Sequence, residues 1–208
     1  IAVARSANVL ENLYNDARNF GCAENLVMLQ GDLSSQEGTM GIANRIKEMT
    51  PVVDVLVNNA GTLINKPFHE TSLSDLQSVY MVNVFAPFLL AQSLLGLLRK
   101  SDAAHVVNIG SVGGVNGTSK FPGLSAYSSS KGALGILSEL LAEELKADNV
   151  KVNCLALGSV QTEMLEEAFP GFKAPVSSRL MGEYVAWFAV NGMQFFNGKV
   201  IPVALDTP

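Results

Sequence analysis

Apolar residues in this chain fall into short unbroken runs, separated by longer stretches in which they recur every three or four positions. The strongest run, Val52-Val-Asp-Val-Leu-Val57, is rich in β-branched side chains and predicts a buried strand. Residues 26–30, 106–109, 150–155 and 199–203 predict further strands, and residues 1–4 read as the end of another. Pro202 has no N–H to give to a ladder, so the last strand is expected at an edge or to end there. The intervening stretches predict helices over residues 7–20, 35–49, 72–98, 126–147 and 179–192. Ser35 is expected to cap the second, with Gln36 and Glu37 in its first turn, and Thr71 or Ser72 to cap the third. In the fourth, Leu134, Leu137, Leu141 and Leu145 recur at helical spacing.

Strands that alternate with helices pair in parallel, and such a sheet needs both faces covered. The predicted architecture is a doubly wound parallel α/β sheet, three layers deep, in a single domain over residues 1–208. Ligands of such sheets bind at the carboxyl ends of the strands, where the long loops at 110–123 and 158–178 fall.

Composition supports this picture: 48% hydrophobic and 16% charged residues belong to a globular chain. A net charge of -5 with no basic run argues against a nucleic-acid partner. Cys22 and Cys154 match no metal-ligand spacing, so no metal is expected, and both read as buried thiols of a reduced, cytoplasmic chain. No basic region followed by an apolar core marks a leader, and Asn116-Gly-Thr118 reads as a plain loop. The stretch 82–98 is interrupted by Asn83, Pro87 and Gly96, and is expected to be a buried helix rather than a membrane span.

The sharpest chemical signal is Tyr127-Ser-Ser-Ser-Lys131. Residues four apart on a helix face the same way, which sets an ammonium beside a phenol. A nearby positive charge favours phenolate, so the pair can serve as a general acid and base. Alone, that spacing is a common coincidence. It is accompanied by Asn58-Asn59-Ala60-Gly61 directly after one strand and by Ser111 at the end of another. Asn83 adds a polar amide inside the most apolar helix.

These residues, in this order, resemble the short-chain dehydrogenase/reductase family, as does the tail Asn197-Gly-Lys-Val-Ile201. The resemblance implies a Rossmann-like fold and hydride transfer between a nicotinamide cofactor and a carbonyl or alcohol. It makes Tyr127 the proton donor or acceptor, Ser111 the partner of the substrate oxygen, and Lys131 the residue that lowers the Tyr127 pKa and binds ribose. Asn83 would hold a water of the proton relay. Asp32 would meet the adenine, with Leu33 next to it in the cofactor site. Asn59 would meet the adenosine ribose or adjacent backbone, with Ala60 and Gly61 beside it at the cofactor, and Val160 and Thr162 would meet the nicotinamide carboxamide. Ala4 stands where an acidic residue would select NAD(H), and Arg5 and Ser6, which follow it, suit a 2′-phosphate, so NADP(H) is the expected cofactor, with NAD(H) second.

In the family a strand, a Gly-rich turn and a helix come first, and none of these is present before Ile1. The expectation is that the chain is incomplete relative to the natural protein and that the missing strand would lie between those at Ile1 and Val52. The loop from Ser111 to Tyr127 looks longer than usual, with Lys120–Gly123 bordering the substrate. Leu157 replaces a customary proline, and the short apolar segment 163–178 suggests a modest hydrophobic substrate. The apolar helices over 72–98 and 126–147 suggest a homodimer or homotetramer. The rival reading is a non-catalytic cofactor sensor on the same fold.

Overall fold

The computed structural model describes residues 1–205. In chain order it opens with β1 (Ala2–Ala4), α1 (Ala7–Asn19), β2 (Met28–Gln30), α2 (Gln36–Met49) and β3 (Val55–Asn58). Helices α3 (Leu73–Tyr80) and α4 (Ala86–Leu98) follow, joined without a break by a π-helical turn at Met81–Phe85. Then come β4 (His105–Ser111), α5 (Ser125–Glu144) and β5 (Lys151–Leu157). The small elements β6 (Val160–Gln161), α6 (Glu163–Ala168) and β7 (Val176–Ser177) precede α7 (Ser178–Asn191) and β8 (Lys199–Val203).

The helix starts follow the capping chemistry. The Ser35 hydroxyl accepts from the Gly38 N–H at 3.1 Å. Ser72, not Thr71, caps α3: its hydroxyl accepts from Asp75 N–H at 3.1 Å while the Asp75 carboxylate accepts from Ser72 N–H at 2.9 Å. Each expected strand and helix is present, with ends displaced by a few residues. Val52 and Val53 lie ahead of β3, because the Val53 N–H bonds the Leu97 carbonyl rather than a neighbouring strand.

Strands β3, β4, β5 and β8 form one parallel sheet in that order. One face is covered by α4 and α5, where Leu98, Ala142 and Leu145 pack on Val106, Val150 and Val152. The other is covered by α7, where Phe188 and Ala189 pack on Val107, Ile109 and Leu155. Alternate residues of β4 thus serve opposite layers, as the pleat requires. Strands β1 and β2 pair with each other in a separate two-stranded sheet. Between it and the larger sheet lies a cavity of about 640 Å³, lined by Ile1 and Val3 on one side and Val55 to Ala60 on the other. This is the position at which the sequence suggests a further strand.

Two expectations need correction. Cys154 is buried but Cys22 is exposed, because it lies just past the end of α1, where its thiol reaches only the Ala17 carbonyl. The run Leu73–Leu98 is one helix of 26 residues with mean hydropathy 1.8, long and apolar enough to cross a membrane by length and composition. Pro87 fails to break it because the wide turn before it absorbs the missing N–H. Within the fold, Leu90, Ala91, Leu94 and Leu98 of that helix are buried.

His105, fully buried at the start of β4, pins this sheet to α7. Its Nδ1 lies 2.9 Å from the Ala189 carbonyl and must donate, so Nε2 accepts from the Asn153 amide at 3.0 Å and the ring is neutral. Burial pushes its pKa below the ordinary 6.5, against the opposing pull of the Ala189 carbonyl. Below pH 6.5 the unfolded chain therefore binds the proton more readily than the folded one. Stability falls as the pH drops through that value and levels off only below the folded-state pKa. A thermal-unfolding series between about pH 7 and about pH 5 is expected to show a steeper loss in the wild type than in His105→Gln. Parallel slopes would contradict it.

Candidate active site

The site is assembled at the carboxyl end of β4 and the first turns of α5. Ser111 closes β4, and the turn after it packs directly on α5. Gly114 makes that possible: a Cβ there would stand 2.6 Å from the Gly132 nitrogen and the Lys131 carbonyl carbon. Tyr127 lies in the first turn of α5 and Lys131 one turn on, so both face the same cavity.

The Ser111 hydroxyl oxygen accepts from the Gly113 N–H at 3.2 Å, which leaves its proton free to donate. The Lys131 side chain is buried, with 5% of the residue exposed. Its Nζ donates to the Ile109 carbonyl at 2.7 Å and lies 5.8 Å from the centre of the Tyr127 ring. Burial pulls the Lys131 pKa down to about 8. Burial likewise pushes the Tyr127 phenol above its ordinary value, with the Ser111 hydroxyl opposing. Desolvation of the phenol thus outweighs the Ser111 hydrogen bond.

Asn83 is fully buried in the π-helical turn. Its Oδ1 accepts from Thr62 N–H at 2.9 Å, and its Nδ2 donates to the Thr62 carbonyl at 3.0 Å and the Ser130 hydroxyl at 2.9 Å. The amide therefore ties the loop after β3 to α5, behind Gly61 and Lys131. The side chain is thus fully committed to protein partners, and Pro87, four residues on, offers no N–H to the Asn83 carbonyl.

Asn59, Gly61, Ser111, Tyr127, Lys131, Val160 and Thr162 line one cavity of about 360 Å³. Its outer wall is apolar: Leu63, Phe121, Leu124, Leu157, Met164, Leu165, Phe169 and Phe172. The Thr162 hydroxyl is engaged as the cap of α6, accepting from Leu165 N–H at 3.2 Å. Leu33, Asn59 and Ala60 line the larger cavity beside β3, so Asn59 belongs to both.

Arg5, Ser6 and Asp32 line neither cavity and sit at the carboxyl ends of β1 and β2. Ser6 is the N-cap residue of α1 yet makes no side-chain cap bond. The Asp32 carboxyl is held below the ordinary range by the Ser34 N–H, burial opposing, with smaller help from Arg5.

Several participants escaped the sequence reading. Ser130 and the Ile109 carbonyl hold Asn83 and Lys131, and Arg45 on α2 donates to the Gln30 carbonyl at 3.2 Å, beside the Arg5 turn. The only signal for Ser130 is its position next to Lys131 in a helix whose neighbouring serines look the same. A capping Thr before Glu163 was a legible signal for α6.

The family model for short chain dehydrogenases matches residues 1–171. The chain belongs to the short chain dehydrogenase family. A rhamnolipids-biosynthesis 3-oxoacyl-[acyl-carrier-protein] reductase from Pseudomonas aeruginosa is 37% identical over 140 residues, 65% of this chain and 54% of that protein. Cyclopentanol dehydrogenase from Comamonas testosteroni is 31% identical over 150 residues, 72% of this chain and 58% of that protein. The chain thus spans little more than half the length of these curated family members. Among solved structures, the Pseudomonas aeruginosa RhlG/NADP active-site complex superposes with a TM-score of 0.80 at 29% identity, covering 97% of this chain and 83% of that one. A short chain dehydrogenase from Escherichia coli CFT073 complexed with NADPH gives 0.84 at 28% identity, covering 96% and 83%.

Proposed function

We propose that the chain carries the catalytic face of an NADP(H)-dependent oxidoreductase that interconverts an uncharged carbonyl compound and its alcohol. The observation that carries this reading is the convergence of Ser111, Tyr127 and Lys131 on one apolar-walled cavity. In the reducing direction Tyr127 gives its proton to the carbonyl oxygen, and the free Ser111 proton donates to the same oxygen as charge develops there. Lys131 holds a positive charge beside the phenolate left behind. A nicotinamide cofactor supplies the hydride when bound.

The residues fit such a cofactor. Among the described residues the Lys131 ammonium has one hydrogen-bond partner, the Ile109 carbonyl, and so keeps two donors for ribose hydroxyls. Val160 at the cavity wall suits the carboxamide end, Asn59 the passage between the two cavities, and Asp32 the adenine. At β1, Arg5 and the uncommitted Ser6 hydroxyl at the amino end of α1 suit a 2′-phosphate, with the Arg45 guanidinium as a further positive charge.

Purified chain is expected to consume NADPH on addition of small uncharged ketones and to discriminate against NADH. Arg5→Glu should weaken NADPH binding by about ten- to a hundredfold while sparing NADH, as for a lost charge-assisted hydrogen bond. An unchanged ratio in a fluorescence titration would remove Arg5 from the cofactor site. Phe85, Phe88, Ile136 and Leu140 are all exposed on α4, α5 and the turn between α3 and α4, which supports a homodimer or homotetramer built on those helices. The exposed free thiol of Cys22 suits a reducing, cytoplasmic compartment.

A further inference from the structure

Three segments, distant in sequence, wall the substrate side of the cavity: the loop 62–67, the loop 112–124, and α6 with the residues just after it. They are fastened to one another in a ring. The Lys66 N–H donates to the Gly123 carbonyl at 2.9 Å, joining the first to the second. Phe121 and Phe169 meet edge to face with ring centres 5.5 Å apart, joining the second to the third. The ring is closed by Asn65, whose Nδ2 donates to the Ala168 carbonyl at 2.9 Å.

That bond is well placed to matter. Helix α6 has six residues, too few to hold its position by its own hydrogen bonds. Ala168 is its last residue, and its carbonyl is one that the helix cannot satisfy internally. The other end of the Asn65 amide, Oδ1, lies against Gly123, where φ is +86° and any Cβ would collide with that oxygen. One amide therefore touches both other segments. Its base is firm, because the Lys66 ammonium is anchored 2.9 Å from the Asp75 carboxylate in the capping box of α3. Met164, Leu165 and Phe169 enter the cavity from the segment that Asn65 holds, so the position of α6 sets the depth of the cavity.

We propose that Asn65 is a positioning residue that latches α6 over the pocket and so limits the length of the uncharged ketone or alcohol accepted. The substrate half of this inference rests on the proposed carbonyl chemistry, whereas the latch itself does not.

Two variants of the full chain test it. Asn65→Ala removes the amide. Asn65→Asp keeps its size and the oxygen facing Gly123 but replaces the donor with an acceptor. Backbone hydrogen exchange is expected to speed up by about three- to tenfold over residues 163–169 in both variants, with α4 and α5 unchanged, as for one lost hydrogen bond. Along a series of straight-chain methyl ketones, KM for the short members should rise by a similar factor at constant kcat. Long members should lose less, so that the preferred length increases. Unchanged exchange over 163–169, or an increase spread evenly over the chain, would overturn the latch. Faster exchange in α6 with the same length preference would overturn its role in specificity. If the wild type reduces no ketone, the functional reading fails, and the exchange data still decide whether Asn65 is a latch.

Discussion

Tyr127→Phe is expected to lower kcat for ketone reduction by about 10²–10⁴-fold, the usual contribution of a general acid, while the NADPH dissociation constant changes by less than about twofold. The phenol proton is the one lost group. The ring stays in the first turn of α5, and the bonds that set Lys131 and Asn83, to the Ile109 carbonyl, the Thr62 backbone and the Ser130 hydroxyl, do not involve the Tyr127 oxygen. Because burial keeps this phenol above its ordinary pKa, Tyr127 enters the reducing reaction already protonated at neutral pH. A variant that keeps turning over would assign the proton to another group. Simultaneous loss of NADPH binding would make Tyr127 a cofactor ligand first.

Lys131→Met is expected to reduce kcat/KM by about 10²–10³-fold, comparable to removing a preorganised charge from a desolvated site. The cause is the ammonium, since Met retains much of the aliphatic stem. The same charge gives the wild type a pH dependence with a definite sign. Lys131 has a pKa of about 8 in the folded chain, so it is charged below that pH and neutral above it. Reduction should fall as the pH rises through about 8, and the residual activity of Lys131→Met should lack that limb. Burying an ammonium opposes folding at neutral pH, so the variant is expected to melt no lower than the wild type. Lost activity with an intact melting temperature separates the chemical role from a structural one. A large drop in melting temperature would contradict it.

Much of this arrangement was legible before any coordinates. The β-branched run at Val52 to Val57, the capping serines and the alternation of strand and helix fixed the layers. Tyr127, Lys131 and Ser111 were marked by their spacing and by the ends of the strands they follow. What local pattern did not reveal depended on distant partners. Nothing in the stretch around Asn65 tells which carbonyl its amide will reach, because Ala168 lies far along the chain. The π-helical turn follows from Pro87 meeting a helix held on both sides by packing, a tertiary effect. The raised pKa of Tyr127 is likewise a matter of desolvation, which spacing alone does not report. Cys22 read as buried on composition, but it lies exposed just past the end of α1, a matter of tertiary placement that composition does not report.

The central claim is that hydride passes between a nicotinamide cofactor and a carbonyl carbon in the pocket of Ser111, Tyr127 and Lys131. It is tested most directly with NADPH deuterated at the transferring carbon, an uncharged methyl ketone and mass analysis of the product. The account predicts an alcohol carrying one deuterium on its carbinol carbon, formed by the wild type and not by Tyr127→Phe. NADPH that binds but never passes its deuterium to any ketone in a broad panel would contradict it and favour a cofactor sensor built on the same fold.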